Sequence, residues 1–202
     1  MAQESVHTRD IGVVHRAKKG ELKSGDDYLI HDLGEKLFVA VIDGLGHGPK
    51  AREAAVTIKS VFKEQIEKGN LALPMLFDLA HKRAAATRGG VVGAALVDYT
   101  RKRISFLGVG NIAMKCVGKN GNESPLSVDG IVGYTMDRKK LQDLPFEEGQ
   151  VLVMHSDGVS ERYGTAFVRE NSSLPMQELV EKVVDGFGRA DRDDVTFLAI
   201  KL

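Results

Sequence analysis

Six segments of the chain are rich in apolar and β-branched residues: LFVAVI (37–42), VVGAALV (91–97), RISFLGV (103–109), IAMKCV (112–117), VLVMH (151–155) and VTFLAI (195–200). Several are apolar throughout. A strand shows successive side chains to opposite faces, so a run with no polar alternate predicts burial on both. Shorter strands are expected near 12–17 and 28–31. The helices read differently. PKAREAAVTIKSVFKEQIEKGN (49–70), LPMLFDLAHKRAAA (73–86) and SLPMQELVEKVVDG (173–186) each carry one apolar stripe, with Pro49, Pro74 and Pro175 at their starts. Gly69–Asn70 and Gly186 are expected stops. Each helix therefore needs something flat to pack on. Two helices are consecutive near the front and one comes late, so they do not alternate with strands as a parallel sheet requires. The pattern predicts an α+β chain of two antiparallel sheets packed together, with helices on the outer faces. DYTRKR (98–103) and Gly110–Asn111 are expected to close hairpins between the strands they separate.

Glycines are scattered between short elements rather than pooled in a linker, so residues 1–202 are expected to form a single domain. The hydrophobic share, 43%, is enough for a core and argues against disorder. Twenty-eight Lys and Arg balance 28 Asp and Glu, which points away from nucleic acid. No apolar run approaches the roughly 20 residues of a membrane span, and MAQESVHTRD at the N-terminus has no signal-peptide core. The single cysteine, Cys116, excludes an internal disulfide and reads as a small buried hydrophobe. A cytoplasmic location without membrane association is the expectation.

The aspartates fall in a pattern. Asp26 and Asp27 open a short strand in SGDDYLI. Asp43–Gly44 ends the strand in VAVIDGLGHG. Asp157–Gly158 ends another in VLVMHSDGVSE, and Asp193–Asp194 precede the last strand in RADRDDVTFLAI. One Asp-Gly after a strand is an ordinary turn signal. Four strand ends, if they share one edge, bring six carboxylates together, and these repel unless neutralised. Hard divalent cations with oxygen ligands do that, and a pair of them suits phosphoester hydrolysis. Glycine after Asp43 would let a backbone carbonyl approach an ion.

In this order and at these intervals, SGDD, AVIDGLGHG, GVGN, MHSDGVSE and DRDDVTF resemble the PPM-type metal-dependent serine/threonine protein phosphatases. The likeness is to their bacterial branch, the sporulation stage II E-like phosphatases, and especially to stand-alone RsbX-type members. It spans roughly Gly25 to Leu202. The resemblance implies a four-layer αββα sandwich and a site with two Mn²⁺ or Mg²⁺ ions. Asp43 would bridge them, the Gly44 carbonyl would bind one, and Asp157 and Asp193 the other. Asp26 would be a direct or water-mediated ligand. Asp43, Asp157 and Asp193 would thus carry catalysis, with Asp27 and Asp194 behind the ligands and Glu161 orienting a ligand or water. The implied reaction is in-line attack of an activated water on phosphoserine or phosphothreonine, without a phospho-enzyme. The implied substrate is a small phosphorylated regulator of the STAS-domain type in a stressosome, or partner-switching, pathway. No counterpart of the phosphate-binding arginine of eukaryotic members stands out; Arg16 fits by position alone.

His47 and His155 lie beside the key aspartates. His47 is where a turn into a helix is expected, and His155 ends a strand; no general acid is singled out. Two other readings compete: a catalytically weak scaffold of the same fold that binds phosphoproteins, and a sandwich that binds divalent cations without hydrolysis.

Overall fold

The computed structural model describes residues 9–202, so most of the N-terminal stretch read above for a leader lies outside the described residues. The strands are β1 (Ile11–Arg16), β2 (Asp26–Asp32), β3 (Lys36–Gly44), β4 (Gly90–Asp98), β5 (Arg103–Val109), β6 (Ala113–Val117), β7 (Asn122–Glu123), β8 (Gln142–Pro145), β9 (Val151–His155) and β10 (Val195–Lys201). The helices are α1 (Pro49–Glu67), α2 (Leu73–Ala84), α3 (Gly164–Glu170) and α4 (Met176–Phe187), with a 3₁₀ turn at Glu161–Tyr163. One sheet has the order β2-β3-β4-β5-β8 and the other β1-β10-β9-β6-β7. Every pairing between two of these strands is antiparallel.

The burial of both strand faces, expected from composition, has a direct structural cause. Along β3, Phe38, Ala40 and Ile42 pack under α1 and α2 with Phe62, Leu76 and Phe77. Leu37, Val39 and Val41 face the other way, into the space between the sheets, with Ile104, Met154, Leu198 and Ile200. A third layer of apolar side chains lies between the second sheet and α4, where Val153, Phe197 and Ala199 meet Leu179, Val180 and Val183. The three cores are the three gaps of an αββα sandwich, as the motifs implied. Among the described residues no helix is long and apolar enough to cross a membrane.

Several local expectations need correction. Gly110–Asn111 does not close a hairpin. β5 belongs to the first sheet and β6 to the second, so this turn carries the chain from one sheet to the other. Gly110 has φ +95°, and a Cβ there would sit 2.1 Å from Cγ1 of Val91, so only glycine fits the crossing. The last of the three expected helices, α4, begins at Met176 rather than 173. Its first turn is capped from a distance, the Met176 N–H donating to Oδ1 of Asp10 at 2.9 Å. It runs through Gly186 and ends where the Gly188 N–H donates to the Val184 carbonyl. The short strands β7 and β8 and the helix α3 have no strong periodicity and were not expected.

Candidate functional site

Strand register decides whether the aspartates meet. In the β2–β3 pair Asp26 stands directly opposite Asp43. Alternation places both on the side facing the second sheet, since Val41 and Val39 share that face. The second sheet supplies Asp157 just after β9 and Asp193 just before β10, and the Ser156 N–H donates to the Thr196 carbonyl at 3.0 Å to hold these ends side by side. Gly158 makes this closeness feasible. A Cβ on it would lie 1.8 Å from the Asp194 carbonyl oxygen. Gly44 has the same role on the other sheet, where a Cβ would lie 2.0 Å from the Ala51 carbonyl of α1. Gly46 and Gly48 take the left-handed values, φ +90° and +74°, that turn the chain into α1.

Two side chains tie the sheets together at this edge. The Ser156 hydroxyl donates to Oδ2 of Asp26 at 2.7 Å and accepts from the Thr196 N–H at 3.1 Å. The Asp194 carboxylate accepts from the Lys18 N–H at 2.9 Å and the Gly25 N–H at 2.8 Å. Asp194 is therefore a buried brace for the loops and not a free ligand. All four aspartate-bearing strand ends share one edge of the sandwich.

The electrostatics follow from this crowding. Burial, then the charges of Asp26, Asp157, Asp193 and Asp194, push Asp43 up to about 9 from an ordinary 3.8. Burial also pushes Asp26 up to about 7, against the hydrogen bonds from Ser156 and Thr196. Asp193 is raised chiefly by burial, with Asp157 and Asp194 adding and Lys18 opposing. Asp43, Asp157 and Asp193 line a pocket of about 270 Å³, with Asn111, Lys18 and Arg192 also on its wall. Asn111 donates from Nδ2 to Oδ2 of Asp157 at 2.9 Å, which orients that carboxylate.

The other expected residues lie elsewhere. Asp27 points to the opposite face of β2, where it pairs with Lys59 at 2.8 Å and Arg52 at 3.2 Å of α1; strand alternation makes it a helix anchor and removes it from the cluster. Glu161 pairs with Lys115 at 2.7 Å on the outer face of β6, and that hydrogen bond holds its carboxyl below the usual range. It is not brought to the aspartates. His47 is exposed on the pocket rim, with Nδ1 2.8 Å from Oε1 of Glu21. His155 faces the α4 side, stacked on Phe197 at 5.4 Å, and burial lowers its pKa. Arg16 pairs with Asp185 at 3.2 Å, away from the pocket. Cys116 is buried, its thiol pushed up to about 12.

Sequence reasoning missed Lys18, Arg192, Ser156 and a specific role for Asn111. Ser156 and Asn111 sit inside the quoted motifs SDG and GN; nothing in the sequence marks the two cations.

Among the described residues no three or more His, Cys, Asp or Glu side chains draw together tightly enough to hold a metal ion by themselves. The donor set nevertheless fits a hard cation. It consists of carboxylate oxygens in a water-open pocket, where burial and then like charge raise the proton affinity of Asp43, Asp26 and Asp193. Mg²⁺ and Mn²⁺ bind through one or two carboxylates and keep several waters.

The sequence model of the Stage II sporulation protein E (SpoIIE) family matches residues 34–202. Stage II sporulation protein E of Bacillus subtilis (strain 168) is 26% identical over 218 aligned positions, covering 95% of this chain and 25% of its own length. The chain spans about a quarter of the length of the curated relatives it matches. A solved structure from "The bacterial stressosome: a modular system that has been adapted to control secondary messenger signaling" is 31% identical. It aligns with a TM-score of 0.88, over 96% of this chain and 99% of that one. RsbX in complex with magnesium, 19% identical, aligns with a TM-score of 0.84 over 94% and 93% of the two chains, which shows the shared fold.

Proposed function

The chain belongs to the Stage II sporulation protein E (SpoIIE) family, within the PPM-type branch its motifs resemble, and we propose that it is a Mn²⁺- or Mg²⁺-dependent phosphatase acting on phosphoserine or phosphothreonine in a regulatory protein. The observation that carries this reading is the meeting of Asp26, Asp43, Asp157 and Asp193 at one edge of the sandwich, with Asp43 pushed up to about 9 by burial and then by its neighbours' charges. Asp43, Asp157 and Asp193, with the Gly44 carbonyl, would hold the two ions, and Asp26 would join them directly or through water. When bound, the ions supply the acidity that makes water nucleophilic at neutral pH and positive charge for the phosphoryl oxygens.

The chain's own groups prepare that chemistry. Asp43, protonated in the metal-free fold, would have to release that proton to hold a cation. Ser156 and Asn111 hold the carboxylates of Asp26 and Asp157 in fixed orientations. Lys18 and Arg192 offer positive charge on the pocket wall, where an arriving phosphate dianion needs it. With its thiol pushed up to about 12, buried Cys116 is no nucleophile, in keeping with direct attack by water.

The finer reading, a phosphorylated STAS-domain protein of a stressosome pathway, rests on RsbX and the stressosome protein among the structural neighbours. The test is Mn²⁺- and Mg²⁺-dependent hydrolysis of p-nitrophenyl phosphate and of a phosphoserine STAS-domain protein. Activity with either metal that is lost in Asp43→Asn is expected. An inactive wild type, or an Asp43→Asn variant as active as wild type, overturns the enzyme reading; retained phosphoprotein binding by an inactive wild type would favour the scaffold.

A further inference from the structure

The acidic pocket opens sideways. Leu45 and Gly46, which line it, also form one wall of a second cavity of about 550 Å³, completed by Thr87, Arg88, Ile131 and Tyr134. This groove combines two features that a chain with no partner has little reason to keep. Tyr134 is 80% exposed and Leu45 42% exposed, an apolar surface beside the candidate site. Arg88 lies with Nη1 close over Gly46, 3.0 Å from where a Cβ would be, and no carboxylate among the described residues pairs with it.

The wall carrying Tyr134 is built rather than loose. Val132 exchanges both backbone hydrogen bonds with Gly90 at 2.8 and 3.0 Å, which staples the segment to β4. The Tyr134 N–H donates to the Ile131 carbonyl at 3.0 Å, and the Gly133 N–H donates to Nδ1 of His81 at 3.0 Å. An aromatic ring held on a hydrogen-bonded turn, exposed beside a guanidinium that has no carboxylate partner among the described residues, is the kind of anchor that dominates recognition surfaces.

We propose that this groove binds the polypeptide segment flanking the substrate's phosphoserine, seating an apolar side chain against Leu45, Ile131 and Tyr134 and a carboxylate on Arg88. The proposal rests on the phosphatase reading and deepens it. Its grounds are the continuity of the groove with the acidic pocket through Leu45 and Gly46, and the charge of Arg88. A phosphate placed among the aspartates leaves the adjoining residues of its chain beside this wall. A carboxylate on Arg88 would make the charge-assisted pair that the arginine lacks among the described residues. Small phosphoesters would not reach the groove.

The test uses the full chain with Mn²⁺, p-nitrophenyl phosphate, and phosphoserine peptides carrying Leu and Asp, Leu and Lys, or two alanines beside the phosphoserine. Each set is made with these residues on the N-terminal and on the C-terminal side. Wild type is expected to prefer the Leu/Asp peptide on one side. Tyr134→Ala should lower the ratio of kcat/KM for that peptide to kcat/KM for p-nitrophenyl phosphate by about tenfold. Arg88→Glu should invert the preference between the Asp and Lys peptides, a change that misfolding would not produce. Equal kcat/KM for all peptides with wild type, or ratios unchanged in both variants, overturns the groove while leaving the phosphatase reading intact. No hydrolysis of p-nitrophenyl phosphate by wild type overturns both. A concentration-dependent dimer that Tyr134→Ala abolishes assigns the face to a second copy of the chain and also overturns the proposal.

Discussion

Replacing Asp43 by asparagine is expected to stabilise the metal-free protein while removing the residue on which the site depends. The reason is linkage. Asp43 keeps its proton up to about pH 9 in the fold, against an ordinary 3.8. The folded chain therefore holds a proton that the unfolded chain releases. The stability this represents is fully present below pH 3.8 and is lost as pH rises towards 9. A tenfold displacement of the equilibrium is worth about 1.4 kcal/mol, so at pH 8 the carboxylate costs the metal-free fold about 6 kcal/mol relative to a neutral isostere. Asp26, pushed up to about 7, loses stability in the same direction over a lower range. For a chain of this size each kcal/mol moves Tm by about 2–4 °C. The expected result, by thermal denaturation after EDTA dialysis, is a Tm gap between Asp43→Asn and wild type that is near zero at pH 4 and about 10 °C or more at pH 8. Saturating Mn²⁺ should close the gap by raising wild type alone. A gap that does not grow with pH, or a variant less stable than wild type at pH 8, would refute the reasoning.

Gly158→Ala puts a Cβ 1.8 Å from a backbone oxygen that no rotamer can move. A loss of about 2–3 kcal/mol and weakened Mn²⁺ binding are expected, with Gly121→Ala, which meets nothing within 4 Å, as the neutral control in the same melts. Asp27→Asn should lower Tm, because it leaves Lys59 and Arg52 without their buried partner at a cost of about 1–3 kcal/mol. Mn²⁺ affinity, measured by calorimetry, should stay near that of wild type because the side chain faces α1 and not the pocket.

The layers were legible because burial on both faces of β3, β4 and β10 leaves a mark that no solvent-facing sheet carries. The aspartates were legible as strand-end residues, yet their meeting was not. It depends on Asp26 falling opposite Asp43 and on Gly158 closing onto Asp194, both of which are set by register between segments far apart in sequence. The same limit explains Asp27. Its neighbour in SGDD was read together with it, but one step along a strand reverses the face. Gly110–Asn111 has the composition of a hairpin turn and serves as a crossing between sheets, because Val91 and the packing of both sheets decide its path. Lys18 and Arg192 reach the pocket from loops whose course no periodicity predicts.

The most direct test of the two-ion site is a calorimetric titration of the metal-free chain with Mn²⁺ at pH 7, repeated in buffers of different ionisation enthalpy. Two ions per chain and release of about one to two protons are expected, since Asp43 must give up the proton that burial and its neighbours make it keep, and Asp26, pushed up to about 7, adds part of another; Asp43→Asn should lose two-ion binding and most of the proton release. Binding of no Mn²⁺ at millimolar concentration, or binding with no proton released, would contradict the account.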